Sequence, residues 1–191
     1  TLTAISPLDG RYRKDIADLA PFADEAGLIK TRVEVEARYL IALSNVGLIR
    51  PLTDRETKKL QDLGPRMSLK QTRRVKEIEA ITDHDVKAME RTIWEMVAGT
   101  SLEDVTQMVH FALTSEDINN IAYRLLFQRA KNEICVPALD NLVNGFSMGA
   151  QEFAGIPMLA RTHGQAAVPT TLGKELANIA VRVNKQTRKL E

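Results

Sequence analysis

The longest regular apolar pattern in the chain runs from Ser115 to about Gly149, and it restricts the fold more than any other feature. Its apolar residues recur with the spacing of one helical face: Ile118, Ile121, Leu125, Leu139, Leu142, Val143 and Phe146. A single helix over this range would be roughly 50 Å long at ~1.5 Å per residue. Pro137 should kink it, because proline lacks the amide hydrogen and its ring collides with the preceding turn. Helices of this length are typical of large bundles and subunit interfaces.

Segments nearer the N-terminus also have helical periodicity. The range 24–46 predicts one amphipathic helix, with apolar residues on one face and Glu34, Glu36 and Arg38 on its other faces. Thr53 precedes a second, short helix and is expected to cap its first turn through the hydroxyl oxygen. The N-terminal part of the chain is therefore expected to be a compact group of helices.

No stretch alternates apolar and polar residues over a useful length, so the sequence predicts an all-α fold. A short helix over 104–113 is expected to contain His110. We expect a small helical N-terminal domain over 1–102 and, over 103–191, the first long helices of a central helical bundle. The last segment, 172–191, is periodic and has no helix stop signal, which indicates a helix that continues in a longer polypeptide.

The composition excludes several classes of function. The 191 residues are 44% hydrophobic and 27% charged with a formal net charge of +1, which gives no argument for binding nucleic acid or a membrane surface. The single cysteine, Cys135, excludes an internal disulfide framework and a cysteine-rich metal site. His84, His110 and His163 fit no metal-ligand pattern, and no glycine-rich phosphate loop occurs, so we expect neither a metal nor a cofactor. No apolar run is long enough to cross a bilayer.

Polar residues cluster at three predicted helix starts, in the ranges 82–85, 114–117 and 161–171. The first two have Thr-x-x-Asp spacing and predict capping boxes. Such helix starts present hydroxyls and backbone N–H groups to anions. If the three starts meet in space, they form a site for a ligand with several negative groups, where His163 can transfer a proton. The alternative for His163 is an exposed histidine in a turn.

A turn near the N-terminus adds a cation to the candidate residues. The range 6–10 has the sequence Ser-Pro-Leu-Asp-Gly, which is typical of turns, and Arg11 and Tyr12 follow it directly. The guanidinium of Arg11 has the forked geometry that suits a phosphate or a carboxylate. The alternative is an N-terminal arm that packs through its tyrosine.

Four blocks of the sequence together resemble the adenylosuccinate lyase family of the fumarase/aspartase superfamily. They occur in the family's order and cover nearly the whole chain: Ser6-Pro7-Leu8-Asp9-Gly10-Arg11-Tyr12, Thr82-Asp83-His84-Asp85-Val86-Lys87-Ala88, His110-Phe111 with Thr114-Ser115-Glu116-Asp117-Ile118-Asn119-Asn120, and Arg161-Thr162-His163-Gly164-Gln165 with Gly173-Lys174-Glu175. The Arg-Thr-His pattern alone would indicate only the superfamily. The glycine after the histidine, together with the first and third blocks, indicates this family.

The resemblance implies an enzyme of purine nucleotide biosynthesis. Such an enzyme eliminates fumarate from adenylosuccinate, giving AMP, and from the succinylated carboxamide ribotide earlier in that pathway. A base removes the proton next to a carboxylate, the carbanion is stabilised as an aci-carboxylate, and an acid protonates the leaving nitrogen. The resemblance further implies a cytoplasmic homotetramer without a cofactor, in which three subunits build each active site.

The resemblance also implies roles for particular residues. Carried over by motif, the general acid is His163, with His84 assisting. The residues expected to bind substrate are Arg11 and Tyr12 near the phosphate, Asp83, His84 and Asp85 along the substrate, and Thr114 and Ser115 at the succinyl carboxylate. Lys87 and His110 lie within the motifs and are expected to contact these binding residues and not the substrate itself.

One family signature does not occur in this chain. The family's base is a serine on a flexible loop in a Ser-Ser-x-Met-Pro-x-Lys-x-Asn signature far downstream, so we expect residues 1–191 alone not to turn over substrate. Two alternatives stay open. One is another lyase of the superfamily, such as argininosuccinate lyase, whose substrate has no phosphate for Arg11. The other is a non-catalytic helical scaffold, which has no need of His163 or of hydroxyls at 114–115.

Overall fold

The computed structural model describes residues 2–190, which divide between two compact units with the boundary between Gln128 and Arg129. The helices and strands are α1 (Ala20–Ala23), α2 (Glu25–Asn45), α3 (Asp54–Leu63), α4 (Leu69–Thr82), α5 (Asp85–Val97), α6 (Ser115–Ala130), α7 (Val136–Glu152), β1 (Pro157–Thr162), β2 (Gln165–Thr171) and α8 (Leu172–Leu190). Two 3₁₀-helical segments, Arg13–Leu19 and Glu103–Met108, and a π-helical turn, Lys131–Cys135, lie between them. The predicted helical fold class is confirmed, with one small hairpin added. Among the described residues, no helix combines the length and apolar character needed to cross a membrane.

Helix α2 is the centre of the first unit, and its bounds agree with the predicted helix. It begins after Asp24, whose Oδ1 accepts a hydrogen bond from the Gly27 amide at 2.7 Å. Its apolar face packs in a core with α3, α4, α5 and the segment after α5; deeply buried members are Val33, Leu60, Val75, Met89, Ile93 and Leu102. Glu34 and Glu36, predicted on other faces, are also buried. That prediction underestimated their burial, because a helix surrounded by other elements buries more than its apolar face.

Capping boxes begin both α3 and α4. The Thr53 hydroxyl accepts a hydrogen bond from the Glu56 amide at 3.3 Å, and the Glu56 carboxylate accepts one from the Thr53 amide at 2.8 Å. The predicted cap at Thr53 is therefore confirmed. Ser68 and Gln71 make the same reciprocal pair at the start of α4. These side chains pair with amides that the first helical turn leaves free, so each helix has a defined first residue.

The segment after α5 differs from the predicted helix over 104–113. A short 3₁₀ helix covers Glu103–Met108, and the backbone is no longer helical at His110. Three apolar side chains hold the segment in the core: Leu102, Val105 and Val109. Packing, rather than a continuous helix, therefore fixes its course. The domain boundary predicted after residue 102 stays a prediction.

The second unit contains a two-stranded antiparallel hairpin, which the sequence analysis did not predict. Strands β1 and β2 pair from Pro157 opposite Thr171 to Thr162 opposite Gln165. Residues on both faces of the two strands are largely exposed. A period-two apolar pattern arises where one face of a sheet is buried, so this hairpin leaves no such pattern in the sequence.

Helices α7 and α8 pack against each other in the second unit, and a glycine at the start of α8 lies close to the backbone at the end of α7. The Gly173 amide, at the start of α8, donates a hydrogen bond to the Phe153 carbonyl at 3.0 Å. A Cβ atom on Gly173 would lie only 2.4 Å from the Ala150 carbonyl oxygen. A larger residue therefore cannot occupy this position without moving one of the two backbones.

A π-helical turn lies directly before α7 and Pro137, and the kink predicted at Pro137 stays a prediction. Helical residues continue from α6 through Lys131–Cys135 into α7, and Pro137 lies in the first turn of α7. The carbonyl that a proline ring would meet, four residues earlier, belongs to Glu133 in this π-helical turn. The wider turn accommodates the ring, so the helix does not end at the proline.

Candidate active site

A cavity of about 590 Å³ in the first unit brings together four residues that were predicted to bind substrate. Asp83, His84 and Asp85 come from the junction between α4 and α5, and Ser115 begins α6. The lining residues are Glu25, Leu28, Arg32, Glu79, Asp83, His84, Asp85, Ser115 and Tyr123. Two separate sequence motifs thus meet in one polar cavity. Within residues 2–190, no group of three or more His, Cys, Asp or Glu side chains is arranged to hold a metal ion.

His84, and not Thr82, caps the start of α5. His84 Nδ1 accepts a hydrogen bond from the Lys87 amide at 3.2 Å, whereas the hydroxyl of Thr82 donates to the His84 carbonyl at 3.2 Å. The predicted capping box of Thr82 and Asp85 is wrong, because α4 extends through Thr82 and only Asp83 and His84 lie between it and α5. Since Nδ1 is an acceptor here, the neutral imidazole carries its proton on Nε2, which can donate to a ligand.

The two aspartates of this junction differ in their surroundings. Asp83 ends α4 in the left-handed conformation with a φ of 51°, which is uncommon for a residue other than glycine. Asp85 Oδ2 lies 2.8 Å from Nη1 of Arg32, and Asp85 Oδ1 accepts a hydrogen bond from the Val86 amide at 2.8 Å. Partial burial raises the pKa of Asp85, but the Val86 amide and the Arg32 charge outweigh it and lower the pKa overall. Asp85 is therefore charged in the cavity at neutral pH.

The pairing with Arg32 predicts how Asp85 titrates. Replacing Arg32 by Met should raise the pKa of Asp85, because burial then opposes the carboxylate charge with no cation beside it. An NMR titration of the Asp85 carboxyl carbon measures this change. Arg38→Met is the matched control, since Arg38 lies on the same helix but pairs with Glu34, and it should leave the Asp85 midpoint unchanged.

The direction of this effect on stability follows from the lowered pKa. Asp85 contributes stability at pH values above its unfolded-state pKa of 3.8, and this contribution is lost as the pH falls through the lower folded-state pKa. The stability difference between the wild-type protein and Arg32→Met should therefore shrink in acid. A difference that grows as the pH falls would contradict the assignment of this ion pair.

Helix α2 also holds the segment that leads to α6. Both carboxylate oxygens of Glu36 contact His110: Oε1 lies 2.5 Å from Nδ1, and Oε2 accepts a hydrogen bond from the backbone amide at 3.1 Å. The Tyr39 hydroxyl, one turn further along α2, donates to the Phe111 carbonyl at 3.0 Å. Burial raises the pKa of Glu36, and the hydrogen bond from the His110 ring opposes this rise. Side chains from α2 therefore fix the backbone at two consecutive residues of this segment.

The start of α6 contains half of the predicted capping box. Asp117 Oδ2 accepts hydrogen bonds from the Thr114 amide at 2.7 Å and from the Thr114 hydroxyl at 2.9 Å. These two bonds lower the pKa of Asp117. The Thr114 hydroxyl thus donates to the first turn of its own helix, while Ser115 lines the cavity. A ligand carboxylate at Thr114 would have to replace Asp117 as the acceptor.

The predicted turn at the N-terminus is confirmed. The Gly10 amide donates to the Ser6 carbonyl at 3.2 Å, and the Ser6 amide donates to Asp9 Oδ1 at 2.8 Å. The Arg11 guanidinium lies 5.4 Å from the centre of the Tyr12 ring, which is a cation–π geometry. Both side chains are exposed, and neither is among the described residues that line the cavity. Arg11 and Tyr12 are therefore accessible to a ligand from outside the cavity.

His163 lies at the tip of the β1–β2 hairpin. His163 and Gly164 are the two central residues of its turn, with φ values of 51° and 76°, which are typical of a type I′ turn. Helix α8 begins at the far end of the seven-residue strand β2, about 20 Å away at ~3.3 Å per residue. The predicted helix start over 161–171 is therefore wrong, because this range forms a hairpin and α8 begins only at Leu172. The Thr171 hydroxyl instead accepts a hydrogen bond from the Lys174 amide at 3.1 Å at that helix start.

The backbone is strained at several predicted site residues. Among the described residues other than glycine, a positive φ occurs at Asp83, His110, Ala112 and His163. All four lie within the predicted motifs or between their members. Such conformations cost free energy and are concentrated at functional sites, where the surrounding structure maintains them. This distribution supports a functional role for both junctions and for the hairpin tip.

Sequence reasoning missed three residues of α2 that support the cavity: Arg32, Glu36 and Tyr39. A signal was present, because helical spacing places Arg32 and Glu36 beside the apolar residues Val33 and Ala37. Charges beside an apolar stripe are common on amphipathic helices, so this signal alone does not distinguish a buried pair. The identity of those partners required the tertiary structure. The predicted convergence of His163 with Thr114 and Ser115 stays a prediction, since His163 belongs to the second unit.

Comparison with known proteins identifies relatives of this chain. The chain is 40% identical over 195 residues to adenylosuccinate lyase from Haemophilus influenzae, and 41% identical over 198 residues to adenylosuccinate lyase from Dictyostelium discoideum. Both alignments cover 100% of this chain, but they cover only 43% and 42% of those two proteins. The chain therefore spans less than half the length of these curated relatives.

The fold and a family model agree with these relatives. The crystal structure of fumarate lyase from Mesorhizobium sp. BNC1 matches 91% of this chain and 39% of that chain, with a TM-score of 0.75 and 16% sequence identity. This match shows a shared fold. A model of the family described as lyase matches residues 28–191, which is most of the chain. The chain therefore belongs to this lyase family.

Proposed function

We propose that this chain is the N-terminal part of an adenylosuccinate lyase. Such an enzyme would release fumarate from adenylosuccinate and from the succinylated carboxamide ribotide of purine nucleotide biosynthesis, in the cytoplasm. The relatives that carry this name align with the whole chain. The observation that carries the proposal is the cavity, which unites Asp83, His84 and Asp85 with Ser115 from a separate motif. These are residues for which the family resemblance implies substrate contacts.

The charge of the cavity limits which part of the substrate it can bind. Its lining contains four carboxylates, from Glu25, Glu79, Asp83 and Asp85, but one guanidinium, from Arg32. Carboxylates accept hydrogen bonds, so this lining suits donors such as ribose hydroxyls or an amino group. The phosphate and the succinyl carboxylates of the substrate therefore require cations and donors from other segments.

Arg11 and His163 are suited to that requirement. Arg11 is exposed and presents a guanidinium that can pair with a phosphate in forked geometry. His163 is exposed at a hairpin tip, from which its imidazole can reach a ligand bound by another part of the protein. In the proposed mechanism His163 protonates the leaving nitrogen, and the base is a serine from the rest of the polypeptide. Thr114 and Ser115 bind the succinyl carboxylate on which negative charge develops.

Assembly into a homotetramer is part of the same proposal. Several large apolar side chains of the second unit are exposed: Leu142, Met148, Val168 and Val181. A contiguous exposed apolar patch is typical of a surface that another chain covers, and these side chains are the candidates for such a patch. A composite site would allow the hairpin of one subunit to supply His163 to the cavity of another.

The substrate assay uses the full-length protein. We expect release of fumarate from adenylosuccinate and none from argininosuccinate. Arg11→Met should raise KM for adenylosuccinate about 10–100-fold, the equivalent of one charge-assisted hydrogen bond, and should affect the dephosphorylated analogue much less. Arg13→Met is the matched control, because it removes the same charge two residues away.

The possible results separate the candidate functions. Fumarate from argininosuccinate alone would identify another lyase of the superfamily. No fumarate from any succinylated substrate would contradict the proposed enzyme and favour a non-catalytic scaffold. Equal effects of Arg11→Met on the phosphorylated substrate and on the dephosphorylated analogue would remove Arg11 from the phosphate site.

A further inference from the structure

Helix α2 carries two buried side chains of opposite charge, one helical turn apart. Arg32 is 5% exposed and Glu36 is 1% exposed. Charges in a protein interior are unfavourable unless they are paired and hydrogen-bonded. Each of these charges contacts a different segment: Arg32 contacts Asp85 at the start of α5, and Glu36 contacts His110, five residues before α6.

The contact of Glu36 with His110 maintains an unusual backbone. His110 and Ala112 both have left-handed φ values, 61° and 58°, which residues with a side chain rarely adopt. Glu36 accepts from the backbone amide of His110 and contacts its ring, and Tyr39 donates to the next carbonyl, that of Phe111. Two side chains on neighbouring turns of one helix thus fix the segment that leads directly to Thr114 and Ser115.

The contact of Arg32 with Asp85 fixes the other junction. Nη1 of Arg32 lies 2.8 Å from Asp85 Oδ2, and Arg32 itself lines the cavity. Arg32 Nε is buried and has no hydrogen-bond partner among the described residues. The ion pair with Asp85 and the burial of Arg32 restrict the positions that the guanidinium can adopt. Asp85 is the first residue of α5, so its placement also fixes His84 beside it.

We propose that Arg32 and Glu36 are positioning residues that fix the start of α5 and the segment before α6 relative to each other, and thereby place Asp85 and Ser115 in the substrate cavity. Residues four apart on a helix differ in height by about 6 Å, and a helix is a rigid spacer. Arg32 requires an anionic partner and Glu36 requires a donor, so the two contacts cannot be exchanged. Without these two contacts, the two junctions would no longer be held at a fixed distance from each other. The kinetic part of this inference rests on the proposed lyase function.

The experiment uses the full-length protein with the variants Glu36→Gln and Arg32→Met. Hydrogen exchange, followed by mass spectrometry of peptides, reports the mobility of each junction without reference to activity. Glu36→Gln should accelerate exchange in residues 109–115 about tenfold or more, and Arg32→Met should do so in residues 83–88. Glu56→Gln is the matched control, because Glu56 is a buried carboxylate whose partners, the Arg50 side chain and the Thr53 amide, belong to neither junction. It should leave exchange at both junctions unchanged.

A kinetic cycle distinguishes positioning from a merely structural role. Glu36→Gln should raise KM for adenylosuccinate about tenfold with a smaller change in kcat, and the effect should shrink when Ser115 is already replaced by Ala. Glu56→Gln should lower thermal stability and leave KM unchanged. Glu36→Asp keeps the charge one methylene further from His110, so it should give an intermediate KM, and it replaces Glu36→Gln if that variant does not fold.

The hydrogen-exchange experiment and the kinetic experiment can fail independently of each other. Unchanged exchange of residues 109–115 in a folded Glu36 variant, or fully additive effects of Glu36→Gln and Ser115→Ala, would overturn the positioning role. A wild-type protein that releases no fumarate would instead contradict the proposed function. The exchange arm would then decide whether these two charges of α2 hold the junctions.

Discussion

Replacing His163 by Gln in the full-length protein should lower kcat by about 10²–10⁴-fold, which is the usual contribution of a general acid. The amide of Gln keeps the polarity of the side chain but cannot donate a proton to the leaving nitrogen. Because His163 is exposed at the hairpin tip, the substitution removes no packing. The melting temperature should therefore stay close to that of the wild-type protein while fumarate release falls.

A second substitution separates chemistry from turn geometry. His163 has a φ of 51°, and asparagine is one of the few residues that adopt this conformation readily. His163→Asn should therefore preserve the type I′ turn and still lose activity to the same extent. Recovery of activity in His163→Asn, but not in His163→Gln, would show that the turn is needed and the imidazole is not. Full activity in both variants would remove His163 as the acid.

Replacing Gly173 by Ala should destabilise the second unit by about 1–3 kcal/mol, the usual cost of forcing an extra group into a packed site. The new Cβ would lie 2.4 Å from the Ala150 carbonyl oxygen and 2.6 Å from backbone atoms of Ala154. These are backbone atoms, so no side chain can rotate away to make room. The start of α8 and the end of α7 must therefore move apart, and β2 precedes α8 directly. We expect a lower melting temperature and a loss of activity through misplacement of the hairpin.

Gly145→Ala is the control, and its expected effect on stability has the opposite sign. Gly145 lies inside α7, and a Cβ there would meet no atom within 4 Å. Gly145→Ala should leave stability unchanged or increase it by up to about 1 kcal/mol, because alanine has the higher helix propensity. Thermal unfolding of the two variants under the same conditions measures both effects. Equal destabilisation by both substitutions would contradict the steric explanation for Gly173.

The helices could be predicted because their signals are local. The range 24–46 differs from the observed α2 by one residue at each end, and the Thr53 cap depends on a side chain three residues from its partner. The hairpin could not be predicted, because neither of its faces is buried and its strands carry no alternation. A local pattern therefore predicts an element only where burial gives a periodic apolar pattern or where capping places polar residues at a characteristic spacing.

The residues of the candidate site could also be predicted only where their signals were local. Asp83, His84, Asp85 and Ser115 were proposed from motifs, and they do line one cavity. Arg32 and the other supporting residues of α2 were not proposed, because their partners lie on elements distant in sequence. The capping box at Thr82 was predicted wrongly for a related reason. Spacing alone could not show that α4 would extend to Thr82 and leave the cap to His84.

The left-handed residues at the junctions and at the hairpin tip limit how far substitutions can increase the thermal stability of this protein. Selection for heat resistance favours substitutions that relieve backbone strain, and positions 83, 110, 112 and 163 are where relief is available. Three of them lie in the predicted site motifs, and the fourth, Ala112, lies between the two parts of the third motif block. If these motifs serve the proposed function, thermal stability and turnover compete at the same few positions, and a more stable variant has to gain its stability elsewhere in the chain.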